Sequence, residues 1–269
     1  MKTESVLITG TTSGVGRALL EHYAGRGTRV LSVNRRRVPA FESRYPLVRF
    51  ECLDVRSAEQ VDGLVKNLAE SRELPEVFIL NAGINRVDND ESFELANYRE
   101  VVETNLYGVL NFVEPLTRLP PGEVPRHVIA ISSMANYVGN PYGLGYHTSK
   151  RALTACFGVW CRMYAGTDLV FQQVMLGPVR TAIYTMADKM PTWVVRIRDL
   201  FSGSLDGTVQ AVSRLALTRK RRRFYPWRAV PLYFVLWFCQ SLIPGLFQGR
   251  KTLSGSPRRR GTPETRSRR

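Results

Sequence analysis

Short apolar runs alternate along the chain with longer segments whose apolar residues recur at helical spacing. Six runs predict buried strands, at 5–10, 28–34, 47–55, 76–83, 126–133 and 168–176. Four intervening segments predict helices, at 14–27, 58–70, 98–116 and 146–165. Strands that alternate with helices of this length indicate βαβ units with right-handed crossovers and a parallel sheet covered on both faces.

A glycine-rich segment, TGTTSGVG at 9–16, lies between the first predicted strand and the first predicted helix. Gly10 suits a tight turn, while Gly14 and Gly16 let a pyrophosphate approach the backbone and let the helix pack on the strand. The helix N-terminus would then present free N–H groups and a positive dipole end to phosphates. Glycines also mark ordinary turns, so it is the position between strand and helix that favours a dinucleotide site.

Arginines follow the end of the second predicted strand, where Asn34 is succeeded by Arg35, Arg36 and Arg37. In a dinucleotide-binding fold this strand end meets the adenosine ribose. An acid there would bind a free 2′-hydroxyl, whereas arginines would pair with a 2′-phosphate. A solvated basic turn is the other interpretation. The location favours the phosphate, which predicts NADP(H) in preference to NAD(H).

Further motifs occur in a fixed order, and together they resemble the short-chain dehydrogenase/reductase family over roughly residues 5–225. The matching segments are TGTTSGVG at 9–16, Asp54–Val55 after the third strand, NAG at 81–83, TNLYG with Asn105, ISS ending at Ser133, and YHTSK from Tyr146 to Lys150. Ser133 precedes Tyr146 by thirteen residues, as it does in the family. An ordered set of this kind is far more specific than any one motif.

The resemblance implies a cofactor site and assigns residues to it. These are Gly10, Thr12, Ser13, Gly14, Val15, Gly16, Asn34, Arg35, Arg36, Asp54, Val55, Asn81, Ala82, Gly83, Tyr146, Lys150, Val179 and Thr181. The family usually has Pro-Gly-x-x-x-Thr after the sixth strand, whereas this chain has GPVRT at 177–181. We expect the reversed order of glycine and proline to alter the local path of the loop more than it alters cofactor binding.

Tyr146 and Lys150 lie four positions apart and therefore share one face of a helix. Reducing a carbonyl requires a proton donor for the developing alkoxide, and a nearby ammonium lowers a tyrosine pKa from its usual value of about 10. Ser133, at a strand end, can hold the substrate oxygen. The resemblance further implies that Lys150 holds the nicotinamide ribose and that Asn105 anchors a proton-relaying water. Each residue alone has a structural explanation, but their joint occurrence favours catalysis.

These patterns predict one doubly wound Rossmann-type α/β domain over 1–225, with a mainly parallel seven-stranded sheet and helices on both faces. The predicted activity is NADP(H)-dependent interconversion of a carbonyl and a secondary alcohol, with Tyr146 as acid/base. The alternative is a non-catalytic dinucleotide-binding sensor or scaffold, against which the complete Asn-Ser-Tyr-Lys set argues. The family usually pairs subunits through its two long helices, here 98–116 and 146–165, which predicts a homodimer or homotetramer.

Residues 182–203 occupy the stretch that forms the substrate lid in the family. Their apolar and aromatic content suits a lipophilic ketone, a 3-oxoacyl chain or a steroid-, terpenoid- or polyketide-like substrate. Arg196 and Arg198 could meet an acidic group on it. The other interpretation, that most of these residues pack on the body while the arginines face water, stays open.

The net charge of +15 is concentrated at the C-terminal end. Residues 1–218 carry 24 Lys and Arg against 22 Asp and Glu, which leaves 14 basic residues and one acid for the last 51 positions. Residues 229–248 form an uncharged run between basic flanks that is long enough to span a membrane, but Pro231 and Pro244 break it. An interfacial membrane helix, a pocket cover and a dimer contact compete. We favour peripheral membrane contact over 219–253, combined with closure of the pocket by the segment 226–249.

The C-terminal tail, the cysteines and histidines, and the N-terminus indicate which partners and which cellular location to expect. Residues 250–269 form a basic tail with almost no apolar content, which predicts disorder, and its partners should be lipid headgroups or solvent rather than nucleic acid. The four cysteines and three histidines show no metal-ligand spacing, so we expect no metal and reduced, cytoplasmic thiols. The first ten residues lack the apolar core of a signal peptide.

Overall fold

The computed structural model of the chain describes residues 3–36, 44–86, 93–137, 143–179, 196 and 198–242. Seven strands lie in these ranges: β1 Ser5–Thr9, β2 Arg29–Asn34, β3 Val48–Cys52, β4 Val77–Leu80, β5 Arg126–Ser133, β6 Leu169–Leu176 and β7 Arg222–Tyr225. The helices are α1 Gly14–Ala24, α2 Ala58–Glu70, α3 Leu95–Val102, α4 Gly108–Arg118, α5 Leu144–Met163, α6 Leu205–Ala216 and α7 Ala229–Leu242. A π-helical segment, Glu103–Tyr107, joins α3 to α4, and a 3₁₀ turn, Met134–Tyr137, follows β5.

All seven strands pair in parallel in the order β3-β2-β1-β4-β5-β6-β7. This confirms the predicted doubly wound sheet and makes its described part wholly parallel. The chain reverses its direction of winding between β1 and β4, and a sheet of this type binds ligands at the carboxyl ends of the strands at such a point.

Helices cover both faces of the sheet, each over its own apolar core. One core joins α2, α4 and α5 to the sheet through residues such as Val65, Phe112 and Phe157. The other joins α1 and α6 to the opposite face through residues such as Leu20 and Val212. Full burial of one such side chain contributes about 1.5–3 kcal/mol, so the two cores hold the strand ends, and the site upon them, in a fixed frame.

The helix predicted at 98–116 begins earlier and is not uniform. It starts at Leu95, passes through the π-helical segment Glu103–Tyr107 and continues as α4 to Arg118. The helix predicted at 146–165 likewise begins earlier, at Leu144, which puts Tyr146 in its first turn. Single π-helical turns occur frequently at functional sites, and this one carries Asn105. The predicted homodimer or homotetramer stays a prediction.

Residues Ala229–Leu242 of the C-terminal run form the helix α7. Within the described ranges, no helix has the length and apolar content needed to cross a membrane. Several predictions fall outside those ranges, namely Arg37, Thr181, most of the lid at 182–195 and 197, and residues 243–269. The domain boundaries stay predictions.

Candidate active site

A cavity of about 550 Å³ opens at the carboxyl ends of the strands, around the point where the winding reverses. It brings together most of the predicted site residues, listed here: Gly10, Thr12, Ser13, Gly14, Val15, Asn34, Arg35, Arg36, Asp54, Val55, Asn81, Ala82, Gly83, Ser133, Tyr146, Lys150 and Val179. Gly16 and Asn105 do not line it. The sequence missed several lining residues, among them Ile84, Asn85, Arg86 and Thr104. The first three directly follow the predicted NAG motif, which could have indicated them.

The glycine loop lies against the end of β4 with no room for side chains. Gly10 has a positive φ of 71°, and a Cβ there would lie 2.9 Å from the Cα of Ala82. A Cβ on Gly16 would lie 2.0 Å from the carbonyl oxygen of Gly10 and 2.5 Å from Asn81 Nδ2. Asn81 Nδ2 donates to the carbonyl oxygens of Thr9 and Gly10, at 3.1 and 3.0 Å. A bare backbone at a helix N-terminus, open to a cavity, fits the pyrophosphate of a dinucleotide.

Asn34 supports that loop from β2. Its Oδ1 accepts from the backbone N–H of Thr11 at 2.7 Å, and its Nδ2 donates to Thr11 Oγ1 and to Ser32 Oγ, both at 2.9 Å. The residue is buried. Its amide is therefore committed to the protein, and its direct effect is to hold the glycine loop in place at the cavity wall.

Two arginines border the cavity beyond β2. Arg35 and Arg36 are exposed and line it. Opposite them, Arg56 Nη2 lies 2.6 Å from Asp54 Oδ2. Hydrogen bonds from Arg56 hold the pKa of Asp54 below its usual value, with a smaller contribution from the charge of Arg35. No acidic side chain stands at the end of β2 itself, where Asn34 is followed by these two cations.

Ser133, Tyr146 and Lys150 converge at the floor of the cavity. The Ser133 side chain hydrogen-bonds the Tyr146 phenol. Lys150 is buried, with its Nζ 5.8 Å from the centre of the Tyr146 ring and donating to the carbonyl oxygen of Ile131 at 2.8 Å. The sequence-predicted trio thus comes together, because β5 ends at Ser133 while the first two turns of α5 present Tyr146 and Lys150 on one face.

The pKa of Tyr146 differs from the sequence-based expectation. Burial raises the pKa of Tyr146, and the hydrogen bond from Ser133 acts in the opposite direction. Burial also lowers the pKa of Lys150 to about 8. The expected lowering of the tyrosine pKa by the lysine was therefore wrong for the protein without ligands, because loss of water around the phenolate outweighs the other influences. With a pKa of about 8, Lys150 remains mostly protonated at neutral pH.

Asn105 lies beneath the cavity rather than on its wall. Its Oδ1 accepts from the backbone N–H of Ile84 at 2.7 Å, and its Nδ2 donates to the carbonyl oxygen of Ile84 at 2.9 Å and to Ser149 Oγ at 3.2 Å. It thereby ties the loop after β4 to α5. The water-anchoring role that the resemblance implies stays a prediction.

A second phenol belongs to the segment 226–249, for which the sequence favoured pocket closure. Tyr233, on α7, packs with Ala229 against Met134 and Met175, and Met134 directly follows Ser133. Burial, and to a lesser degree the nearby Tyr146, raise the pKa of Tyr233 to about 12. Tyr233 therefore stays protonated at neutral pH. Tyr233 itself was not singled out from the sequence, although its four-residue spacing from Ala229 puts both on the inner face of α7. Closure of the pocket by this segment stays a prediction.

A family model described as "short chain dehydrogenase" matches residues 4–191. Curated relatives include a 3-oxoacyl-(acyl-carrier-protein) reductase of Thermotoga maritima, 24% identical over 69% of this chain and 76% of its own length. A 3alpha-hydroxysteroid dehydrogenase of Mediterraneibacter gnavus is 21% identical over 73% and 80%. An NADPH-dependent 3-dehydrocapnine reductase of Ornithobacterium rhinotracheale is 25% identical over 67% and 67%.

Solved structures share the architecture. A short-chain dehydrogenase from Streptomyces avermitilis superposes with a TM-score of 0.75 at 20% identity, covering 90% of this chain and 94% of that one. A short-chain dehydrogenase/reductase from Burkholderia phymatum, in complex with NAD, superposes with a TM-score of 0.73 at 18% identity, covering 90% and 95%. At these identities the structural likeness shows the fold, which agrees with the sheet order described above.

Proposed function

The chain belongs to the short-chain dehydrogenase family of oxidoreductases, which act on CH–OH and carbonyl groups, and from this premise we propose that it interconverts a lipophilic ketone and a secondary alcohol with NADP(H). One observation carries the proposal. The hydrogen-bonded pair Ser133–Tyr146 and the buried Lys150 share a single cavity with a side-chain-free glycine loop at a helix N-terminus. A proton donor and a dinucleotide cradle thus face the same space.

Three residues of the chain have separate roles in the proton transfer. In the reduction, Tyr146 gives its phenolic proton to the substrate oxygen, and in the oxidation it takes that proton back. Ser133 holds the same oxygen and, through its hydrogen bond, favours the phenolate that remains on Tyr146. Lys150 keeps a positive charge close to the ring as that phenolate forms. When bound, the nicotinamide supplies or accepts the hydride at the carbonyl carbon.

The NADP(H) preference is proposed from the end of β2. Arg35 and Arg36 line the cavity, neither of these two residues directly after β2 is acidic, and the Asn34 amide is already bonded to the protein. Two exposed guanidinium groups at that place suit a 2′-phosphate, whereas a 2′-hydroxyl would lack its usual acidic acceptor at the strand end. Among the relatives, the 3-dehydrocapnine reductase is NADPH-dependent by name.

Changing both arginines, Arg35→Ala and Arg36→Ala, should raise the Kd of NADPH about tenfold to hundredfold, because charge-assisted hydrogen bonds contribute about 1.5–3 kcal/mol. The Kd of NADH should change by less than about threefold, since NADH carries no 2′-phosphate. Fluorescence titration of both cofactors measures the two constants. Arg214→Ala, an exposed change on α6 away from the cavity, is the matched control. Equal affinity of the unmodified chain for NADH and NADPH would overturn the preference.

The lipophilic substrate is proposed from an apolar group next to the cavity, under α7. Met134, Met175, Phe201 and Tyr233 belong to this group, and Met134 directly follows Ser133, which lines the cavity. The relatives named for 3-oxoacyl and 3alpha-hydroxysteroid substrates also act on compounds with large apolar parts. A panel of ketones graded by chain length and polarity tests this, with NADPH oxidation as the readout. A rate that falls as the apolar part grows would exclude a lipophilic substrate.

Tyr233 is proposed to bind the substrate from α7. Removing its hydroxyl in Tyr233→Phe should raise the KM of the best ketone about tenfold, the worth of one neutral hydrogen bond, with a smaller change in kcat. The Kd of NADPH should stay constant, since Tyr233 does not line the cofactor cavity. Steady-state kinetics and NADPH titration measure these constants. Tyr137→Phe, which alters another phenol packed on the same apolar group, is the control. A kinetic profile identical to the unmodified chain would remove Tyr233 from the site.

A further inference from the structure

The helix α7 has one face packed on the protein and one face in water, and both faces are apolar. Ala229 is fully buried, and Val230 and Tyr233 pack with it against Met134 and Met175. The outer face carries large apolar side chains that are strongly exposed: Phe234 at 64%, Val235 at 55%, Trp237 at 40% and Phe238 at 52%. Trp227, just before the helix, is 78% exposed. Side chains of this size exposed side by side indicate a surface that is covered by a partner.

The surroundings of this face are basic. Lys220, Arg221 and Arg222 are exposed at the start of β7, and Arg228 is exposed at the start of α7. A second cavity of about 590 Å³ lies between the two elements, and its lining includes Trp227, Pro231, Lys220 and Arg222. The sequence from 219 to 249 contains six basic residues and no acidic one. The partner must therefore accept aromatic side chains and neutralise several positive charges at once.

A second copy of the chain fits this surface poorly. A two-fold contact would place the same patch on both sides of the interface, so the cations around β7 would face one another. Charged residues on an edge strand such as β7 also oppose pairing with another strand. A bilayer with anionic headgroups meets both requirements, because aromatic side chains favour the interfacial region and each basic residue near an anionic surface contributes about 1 kcal/mol.

We propose that Trp227 and the outer face of α7, together with Lys220, Arg221, Arg222 and Arg228, form a docking surface for an anionic lipid bilayer. The helix lies on the membrane with its apolar outer face inserted and the basic residues at headgroup level. Because the inner face of the same helix packs on Met134, which directly follows the cavity residue Ser133, docking brings the substrate side of the cavity close to the lipid surface. That consequence rests on the proposed function, whereas the docking itself does not.

Sedimentation of the full chain with vesicles tests the proposal. Vesicles of phosphatidylcholine and of equal parts phosphatidylcholine and phosphatidylglycerol are compared at low and at high salt. We expect the protein to pellet with the anionic vesicles only, and less so at high salt because screening weakens the attraction. The triple variants Phe234→Gln/Trp237→Gln/Phe238→Gln and Lys220→Gln/Arg221→Gln/Arg222→Gln should each bind anionic vesicles about tenfold to hundredfold more weakly.

Matched controls change equally exposed residues elsewhere. Leu47→Gln/Phe93→Gln/Val124→Gln removes exposed apolar side chains, and Arg29→Gln/Arg72→Gln/Arg214→Gln removes exposed charges. Both controls should bind like the unmodified chain, and circular dichroism shows that every variant is folded. The Tyr146→Phe protein should bind equally well, so an inert enzyme does not affect this result. The proposal is overturned if the full chain stays in the supernatant, if the docking variants bind as tightly as the controls, or if the aromatic variant instead dissociates an oligomer.

Discussion

Replacing Tyr146 by Phe should lower kcat for NADPH-dependent ketone reduction by about 10²–10⁴-fold, the usual contribution of one positioned acid or base. The phenol is the proposed proton donor, and it shares the cavity with Ser133 and Lys150. Phenylalanine keeps the ring and its packing but has no proton to give and no partner for the Ser133 hydrogen bond. The Kd of NADPH should remain within about tenfold, because the lost hydroxyl contributes about one neutral hydrogen bond at most.

Stopped-flow or steady-state absorbance of NADPH measures kcat, and fluorescence titration measures the Kd. Tyr164→Phe, at the end of the same helix, is the matched control and should keep full activity, since its ring packs on Phe171 away from the cavity. A Tyr146→Phe protein as active as the control would exclude the assigned proton donor. If all three proteins bind NADPH and none turns over any ketone or alcohol, a non-catalytic dinucleotide sensor becomes the better interpretation.

Most of the strands and helices could be predicted from the sequence, because the local residue patterns agree with the tertiary environment of these elements. The predicted strand at 126–133 and helix at 58–70 match β5 and α2 residue for residue. In α2 the Ser57 side chain accepts from the N–H of Gln60, which is the capping contact that such a residue predicts. Motif spacing also predicted that Ser133, Tyr146 and Lys150 would meet, since the fold fixes the distance between the end of β5 and the start of α5.

The elements and properties that could not be predicted are those for which the local residue pattern does not match the structure. β7, with the sequence RRFY, belongs to the basic flank before the uncharged run and was not located as the seventh strand, yet it is the edge strand that pairs with Gln173–Leu176 of β6. The helix α6 was missed although Ser204 caps it and Val209, Val212 and Leu215 recur at helical spacing. The raised pKa of Tyr146 depends on burial, which residue spacing does not report. The packing of Tyr233 on Met134, which follows β5, is a tertiary contact of α7 that residue spacing does not report either.

Replacing Gly16 by Ala should lower the free energy of unfolding by about 3 kcal/mol, since added atoms in a closely packed place force the backbone apart. The new Cβ would lie 2.0 Å from the Gly10 carbonyl oxygen and 2.5 Å from Asn81 Nδ2. Relief requires α1 to move away from β1 or Asn81 to leave the carbonyl oxygens that it holds on Thr9 and Gly10. Either movement displaces the glycine loop, so the Kd of NADPH should rise at least about tenfold, the equivalent of 1.4 kcal/mol.

Gly63→Ala is the matched control, because Gly63 also lies within a helix, α2, and a Cβ there meets nothing within 4 Å. Alanine at such a position should raise the free energy of unfolding by about 0.5–1 kcal/mol, since glycine loses more backbone freedom on folding. Urea denaturation of the three proteins measures both changes, and NADPH titration shows whether only Gly16→Ala weakens the cofactor. The two glycine-to-alanine changes should therefore alter the free energy of unfolding in opposite directions. A Gly16→Ala protein that keeps both its stability and its NADPH affinity would contradict this prediction. It would show that the space between α1 and the glycine loop can accept a methyl group.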